Sequence, residues 1–234
     1  MMDRKELYLN VRKAYRLVYE VQDSIVEMIE YIRARIKHND CAGKQLFSDP
    51  IAKRRLKDDD YADQYIGQGT WSWDYFLTYM YTYYFTGIPT ETQYCCFSVI
   101  QVMDDGFVGA PAKDSAPSTK DFCDAADSES YLLFAFSIWK KDQRAIWFDY
   151  DGTEQIENEK EEIMRISDEI KQNGYGSYIV NTSDYCFIVK RINLESIGSK
   201  PETDQVLSDF DTLVFEKTGY HLLVDDQQDL PPLH

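Results

Sequence analysis

Two aspartates at a predicted strand end have the residue types and the spacing that could do chemistry. An apolar run, residues 146–148, leads into Asp149 and Asp151, and Gly152 and Thr153 follow. Paired carboxylates at the end of a buried strand are candidates for a catalytic site. The same residues are also typical of a turn, because Asp-Gly commonly ends a strand and Asp151 or Thr153 can cap a following helix. The segment therefore has two interpretations, a catalytic strand end and a strand-exit turn.

The segment resembles the first motif of the haloacid-dehalogenase-like phosphatases. The resemblance implies that Asp149 attacks phosphorus, that Asp151 protonates the leaving group, and that Mg²⁺ reduces the repulsion between nucleophile and substrate. Residues 178–183 resemble the second motif of that family, in which a hydroxyl, here that of Thr182, binds the phosphoryl group. The resemblance further implies a lysine and a distal acidic pair, for which the candidates are Lys190 or Lys200, and Asp209 with Asp211.

The predicted topology favours the turn. The predicted strands 131–140 and 144–149 are separated by three residues, which requires antiparallel pairing. The phosphatase family instead has its first strand in the middle of a parallel sheet. Only 83 residues follow Asp151, too few for the remaining strands and helices of that fold.

Other reactive side chains have no catalytic spacing. The five cysteines lack any CxxC pair and are predicted to be reduced and mostly buried. The histidines are spaced for neither a metal nor a catalytic triad, and no glycine-rich phosphate loop is present. These histidines are His38, His221 and His234.

The charge is strongly asymmetric along the chain. Residues 1–60 hold 13 Lys and Arg and 11 Asp and Glu. The remaining 174 residues hold 12 Lys and Arg and 30 Asp and Glu, so they carry the negative charge of a chain whose formal net charge is −16. A surface this negative repels nucleic-acid phosphates and anionic lipid, and favours solubility, cations or a basic protein partner. No signal peptide is recognised, and the densest apolar run, 131–139, is too short to span a bilayer. The sequence therefore predicts a cytoplasmic protein with no direct nucleic-acid or membrane partner.

One long helix is predicted at the start of the chain, because apolar residues recur at steps of four and three. Asp3 and Glu6 are typical of a capping box, and residues 38–40 end a helix of about 35 residues. This heptad-like seam has two possible uses, packing on a second helix of the same chain or forming a homo-oligomer. The seam consists of Leu7, Val11, Ala14, Val18, Val21, Ile25, Met28 and Ile32.

An aromatic-rich second helix is predicted next. Residues 70–85 contain nine aromatic side chains, and helical spacing through Trp73 and Tyr84 competes there with period-two alternation. Helix capping signals and the stop at Gly87 and Pro89 favour the helix. The predicted organisation is a helical layer over 1–88, a sheet region over 89–222 continuous with it, and a flexible tail over 223–234.

The remainder is predicted to be strands with two further helices. The loop 104–129 between the first two strands is acidic and rich in Ala, Ser and Pro, which favours disorder. The fold class is therefore α+β, with the long helix and the aromatic-rich helix packed on a mainly antiparallel sheet of about five strands. The predicted strands are 94–103, 131–140, 144–149, 178–180 and 185–192, and the predicted helices are 155–172 and 202–217.

The composition and the lack of a complete catalytic constellation predict a non-enzymatic, acidic protein-binding module of the inhibitor, immunity or adaptor type. It would present carboxylates from the helix 155–172 and the loop 104–129 to a basic protein surface. No cofactor is expected; Mg²⁺ is expected only for the alternative, a phosphohydrolase using Asp149, Asp151 and Thr182. The helix residues predicted to contact the partner are Glu157, Glu161, Glu162, Asp168 and Glu169.

Overall fold

The structure, a computed structural model, describes residues 3–38, 41–45, 80–107, 122–140, 159–174 and 176–224. These residues form three α-helices and six strands. In chain order they are α1 Arg4–Arg35, β1 Cys41–Gln45, β2 Met80–Pro89, β3 Gln93–Val102, β4 Tyr131–Lys140, α2 Glu159–Asn173, β5 Ser177–Asn181, β6 Tyr185–Asn193 and α3 Lys200–Thr218.

The described strands form one antiparallel sheet in the order β1-β2-β3-β4-β6-β5. Every pair of neighbours is antiparallel, so the predicted α+β class with an antiparallel sheet is confirmed, with six strands instead of about five. Strand β4 is paired along its length with β3 on one side and with β6 on the other. The predicted hairpin of β4 with residues 144–149 is therefore wrong, and those residues themselves lie outside the described part of the chain.

The sheet is buried on both faces, which explains the apolar composition of its central strands. Successive side chains of a strand point to opposite faces, so Phe97 and Phe134 lie on one face while Cys96 and Leu133 lie on the other. Helices α1 and α3 cover the first face, and α2 covers the second. At the centre of the first face the ring of Phe210 in α3 contacts Phe97 and Phe134, with centroids 5.9 and 5.6 Å away.

The aromatic segment is a strand where it is described, so the helix predicted there is wrong. Residues 80–89 form β2 and pair with both β1 and β3. Tyr83 and Phe85 point into the core beneath α1 and α3, whereas Tyr84 points to the opposite face. The physical reason is that a strand buried on both faces needs large apolar side chains at every position, and aromatic residues favour strands. Residues 70–79 lie outside the described residues.

Helix α1 is confirmed as a single long helix, and it is held on the sheet by a buried polar cluster. The Gln22 amide donates to Tyr83 Oη at 3.1 Å, and the Gln101 amide donates to Gln22 Oε1 at 2.8 Å. Tyr83 Oη in turn donates to Gln101 Oε1 at 2.8 Å. Because buried amides are costly unless they are paired, this cluster favours one register of α1 on the sheet.

The chain after α3 returns to the end of α1. Gly219 ends α3 in the left-handed conformation, with φ at 72°, which glycine adopts at low energy. The carboxylate of Asp211 then accepts hydrogen bonds from the backbone N–H groups of Leu222 and Leu223. Leu223 forms an antiparallel bridge with Ile36, so residues 223 and 224, predicted as part of a flexible tail, pack against the end of α1. Residues 225–234 lie outside the described part.

Among the described helices, none combines the length and the apolar composition that crossing a lipid bilayer requires.

Candidate binding surface

The carboxylates predicted to contact a partner divide into two environments on α2. Glu162 and Glu169 are both paired with Arg165, which lies one helical turn from each of them. The guanidinium also lies over the ring of Tyr178, 5.4 Å from its centroid. Hydrogen bonding from Arg165 holds the pKa of Glu162 below its ordinary value. Two of the predicted carboxylates therefore share one positive charge within α2 itself, which partly weakens their field toward a partner.

Asp168 lies in the second environment, away from Arg165 and near Lys171. It is half-buried, and burial raises the pKa of its carboxyl while nearby Lys171 opposes that shift. Glu157 and the side chain of Glu161 lie outside the described residues.

Ionic contacts anchor both ends of the 104–129 loop to the sheet and to α2. Lys171 Nζ lies 3.1 Å from Glu129 Oε2 and 3.8 Å from Asp105 Oδ2. Arg191 of β6 binds the same Glu129 oxygen at 2.8 Å, and its guanidinium lies 3.8 Å from the centroid of the Tyr131 ring. Hydrogen bonds from Lys171 and Arg191 lower the pKa of Glu129. The ends of the loop, predicted to be disordered, are thus ordered by long-range contacts; residues 108–121 lie outside the described residues.

The Tyr131 hydroxyl gives this cluster a measurable pH response. Burial raises the pKa of Tyr131 to about 12, whereas an unfolded tyrosine titrates near pH 10. The pKa of Tyr131 is higher in the folded than in the unfolded state. The stabilisation of the folded state by the neutral Tyr131 side chain is therefore complete below pH 10 and is lost as the pH rises from 10 to 12. We expect a loss of about 2–3 kcal/mol by pH 12.

Urea unfolding between pH 8 and 11 measures this effect as the difference in unfolding free energy between wild type and Tyr131→Phe. The variant loses the hydrogen bond to Ser167 at every pH, but its disadvantage should shrink as the pH rises above 10. Tyr8→Phe, at an exposed tyrosine of α1, is the control and should show no such trend. A constant difference between wild type and Tyr131→Phe at all pH values would contradict the assignment.

An open groove of about 340 Å³ lies between α3 and the β5–β6 hairpin. Asp209 and Glu216 are exposed on the α3 side, and Lys190 of β6 lies half-buried in the groove. Asp209 accepts a hydrogen bond from Gln205. Among the described residues, neither Asp209 nor Glu216 has a cation within salt-bridge distance, unlike Glu162 and Glu169 on α2. The remaining lining residues are Gly176, Ser177, Arg191, Thr212 and Leu213.

The residues implied by the phosphatase resemblance do not gather at one point in the described structure. Lys190 and Asp209 share the groove, but Thr182 lies in the turn at the far end of the β5–β6 hairpin. Lys190 is paired with Ser177, five residues from Thr182 along the chain, a separation of about 16 Å. The Thr182 hydroxyl is bound within its own turn, where it donates to the Tyr185 carbonyl. The two are too far apart to contact one phosphoryl group.

The other implied residues serve the fold. Asp211 is buried and holds the segment after α3, and His221 Nδ1 lies 2.9 Å from its second oxygen. Lys200 lies at the start of α3 with its ammonium 5.5 Å from the ring centroid of Tyr31. Asp149 and Asp151 are outside the described residues. The described strands are all antiparallel, so they do not form the parallel sheet that the resemblance implies. Within the described part of the chain, the implied residues do not gather into a Mg²⁺ site.

Four of the cysteines are free thiols, and three of these are buried. Cys95 and Cys96 point to opposite faces of β3, and Cys96 Sγ lies 3.0 Å from Ser137 Oγ. No group of three or more His, Cys, Asp or Glu side chains that could hold a metal ion occurs within the described ranges. The free thiols are those of Cys95, Cys96, Cys123 and Cys186.

Sequence reasoning missed the groove and the anchoring cluster. Both depend on contacts between residues far apart in sequence, such as Glu129 with Arg191 and Ser177 with Lys190. One available signal was the pairing of basic residues, Lys190 and Arg191, inside an otherwise apolar strand. Charged side chains at such positions usually have a partner.

Comparison with known proteins places the chain in a family. No curated protein and no solved structure matches it significantly. The sequence profile of one family matches residues 2–219, which is nearly the whole chain and spans every described helix and strand from α1 to α3. The chain belongs to the PM0109 family.

Proposed function

We propose that this protein is a non-enzymatic, acidic binding module of the cytoplasm that engages a basic protein surface. The observation that carries the proposal is the charge: residues 61–234 hold 30 Asp and Glu against 12 Lys and Arg. Proteins with such an excess attract basic partners over long distances and associate quickly at low salt. An inhibitor, immunity protein or adaptor of a basic protein would use this property.

The acidic edge of the α3 groove supports a more specific location for the contact. Asp209 and Glu216 are exposed and form no salt bridge with a cation among the described residues, although Lys190 and Arg191 line the same groove. Glu162 and Glu169 are half-buried, and they share one cation, Arg165, which compensates part of their charge. We therefore expect Asp209 and Glu216 to contribute more to binding than the α2 carboxylates predicted from sequence.

A pull-down from an extract of the native host tests the proposal. The tagged full chain is the bait, and bound proteins are identified and quantified at low and at high salt. We expect a basic protein that is captured at low salt and lost at high salt, because screening weakens exposed charge pairs. Capture that is indifferent to salt would contradict the proposal.

Paired variants test the location. Asp209→Asn with Glu216→Gln should lower the capture of that protein by roughly tenfold, since removing exposed charges at an interface slows association. Glu162→Gln with Glu169→Gln changes the net charge by the same amount on the opposite face of the sheet and should have a smaller effect. Equal losses from the two variants would mean that net charge acts without a localised surface.

The alternative is a Mg²⁺-dependent phosphohydrolase, and its support is the order of residues around Asp149 and Asp151. A generic phosphatase assay with Mg²⁺, run beside Asp149→Asn, separates the two functions. Turnover that requires the metal and is abolished by the substitution would replace the binding function with the catalytic one. We expect equal, background turnover from both proteins.

A further inference from the structure

Strand β5 forms one edge of the sheet. Within the described part of the chain it is the last strand in the order, and it pairs with β6 on its inner side. Its five residues, Ser177–Asn181, include no charged side chain and no proline. Natural proteins commonly protect an edge strand with charges or proline, because an open edge is a template for another strand. The sequence of β5 carries neither form of protection.

The pairing register shows which backbone groups of β5 point outward. The Arg191 N–H donates to the Gly176 carbonyl oxygen at 3.0 Å, so these two residues form a hydrogen-bonded pair just before the strand. In an antiparallel ladder, hydrogen-bonded and non-hydrogen-bonded pairs alternate. Every second residue of β5 therefore turns its N–H and C=O groups away from β6. The residues whose backbone groups point outward are Ser177, Ile179 and Asn181.

The side chains at this edge continue the floor of the α3 groove. Ser177 is directly opposite Lys190, and both line the groove. Because alternate residues of a strand share a face, Ile179 lies on the same face as Ser177. Ile179 is 37% exposed, which is unusual for a large apolar side chain of this sheet. A strand added beside β5 would therefore place its own side chains over Ile179 and next to the groove.

Charge selects the kind of strand that this edge accepts. Asp209 and Glu216 are exposed on the α3 side of the groove. Arg191 is bound to Glu129, which leaves Lys190 against these two carboxylates. The groove therefore keeps a negative excess and favours a basic segment. A second copy of this chain would instead bring another formal net charge of −16 to the same edge.

We propose that the basic partner adds an extended segment to the outer edge of β5. The outward N–H and C=O groups of Ser177, Ile179 and Asn181 bind its main chain. Lysine or arginine side chains on the groove face cover Ile179 with their aliphatic stems and direct their charges to Asp209 and Glu216. In this mode of binding the main chain contributes affinity and alternate side chains contribute specificity. The inference rests on the proposed binding function for its partner, whereas the open edge is tested without that partner.

Hydrogen exchange of the free chain tests whether the edge is open. The outward amides should exchange roughly tenfold faster or more than the amides bonded to β6, because they have no acceptor in the ladder. The outward amides are those of Ser177, Ile179 and Asn181, and the bonded ones are those of Tyr178 and Val180. Equal protection of the two sets would show that another part of the chain covers the edge, and would overturn the proposal.

A fluorescein-labelled octapeptide of alternating lysine and valine is the probe for strand addition. In an extended peptide its lysines lie on one face, toward the groove, and its valines on the other, beside the partly buried Tyr178 and Val180. Fluorescence anisotropy at low salt should show saturable binding, and the outward amides of β5 should become protected. Methylation of one of the two alternate sets of peptide amides should weaken binding at least tenfold at unchanged charge. Absence of binding, or equal binding by both methylated peptides and the parent, would overturn strand addition.

Substitutions at Ile179 locate the peptide. Ile179→Pro removes an outward N–H and leaves the ladder to β6 intact, as proline does on edge strands. Ile179→Lys places a positive charge where the basic segment binds. Each should weaken peptide binding at least tenfold, whereas Leu17→Lys makes the same change in charge at a 61% exposed position of α1 and should have a much smaller effect. Thermal unfolding checks that each variant is folded. Unchanged binding by folded Ile179→Lys, or an equal loss in Leu17→Lys, would contradict the proposed edge.

The protein captured by pull-down separates this inference from the binding function on which it rests. Capture that is lost in Ile179→Lys and retained in Leu17→Lys would support both. Salt-sensitive capture that Ile179→Lys leaves unchanged would overturn strand addition at β5 and leave the binding function standing. If no salt-sensitive protein is captured, the binding function fails, and the exchange and peptide results decide whether β5 accepts a strand.

Discussion

Replacing Phe210 by alanine should lower the free energy of unfolding by about 3–5 kcal/mol, the range for large aromatic side chains in a packed core. Phe210 is fully buried in α3 and contacts Phe97 and Phe134 on two central strands. Its removal leaves a cavity where the helix meets the middle of the sheet. Equilibrium unfolding in urea, monitored by circular dichroism, measures the change from the shift in transition midpoint at constant slope.

Phe215→Ala is the matched control, because it removes the same ring from the same helix. Phe215 is 44% exposed and stacks on His221, so its loss should cost about 1 kcal/mol or less. Similar losses from both substitutions would contradict the packing of α3 on the sheet.

Replacing Asp211 by alanine should lower the free energy of unfolding by about 2–4 kcal/mol. The buried carboxylate accepts hydrogen bonds from the backbone N–H groups of Leu222 and Leu223, and hydrogen bonds to a charged acceptor contribute about 1.5–3 kcal/mol each. Without it, two N–H groups lose their acceptor, and the segment that packs on the end of α1 loses its anchor. The measurement is again unfolding in urea.

Hydrogen exchange separates this effect from a general destabilisation. The amides of Leu222 and Leu223 should exchange much faster in Asp211→Ala than in wild type. The exchange rates of amides in β4 should rise only by the amount that the lower global stability of the variant accounts for. Asp209→Ala, at an exposed position on the same helix, should leave both stability and exchange nearly unchanged. Wild-type protection at Leu222 and Leu223 in the Asp211 variant would contradict the anchor.

Helical periodicity predicted the elements of this fold more reliably than composition did. Helix α1 follows from apolar residues at steps of three and four, and the predicted helices 155–172 and 202–217 correspond to α2 and α3. The aromatic run before Pro89 is a strand where it is described, although its capping and stop signals predict a helix, because its β-propensity is the stronger factor. A strand buried on both faces has no polar side to produce an alternating pattern, so its apolar run cannot be told from a buried helix by periodicity.

The topology of the sheet could not be predicted from neighbouring segments. A tight turn after β4 suggested a hairpin, but both edges of β4 are occupied by β3 and β6. Strand β6 is more than forty residues further along the chain, and only the burial of both sheet faces selects this pairing. Non-local pairing of this kind leaves no local sequence signal.

The candidate surface was only partly predictable for the same reason. The excess of carboxylates is a property of composition and can be counted in the sequence. Which carboxylates are compensated depends on their neighbours. Arg165 lies at helical spacing from both Glu162 and Glu169 and compensates part of their charge, a pattern visible in the sequence. The exposure of Asp209 and Glu216 beside Lys190 depends on how α3 lies over the β5–β6 hairpin, which the sequence did not specify.

The salt dependence of binding to the captured partner tests most directly whether exposed carboxylates of this protein attract a basic protein surface. The dissociation constant of the purified pair is measured by titration between low and high salt, for wild type and for Asp209→Asn with Glu216→Gln. We expect binding to weaken steeply with salt for wild type and less steeply for the variant, because two of the screened charges are gone. A dissociation constant that does not change with salt, or an unchanged salt dependence in the variant, would contradict it.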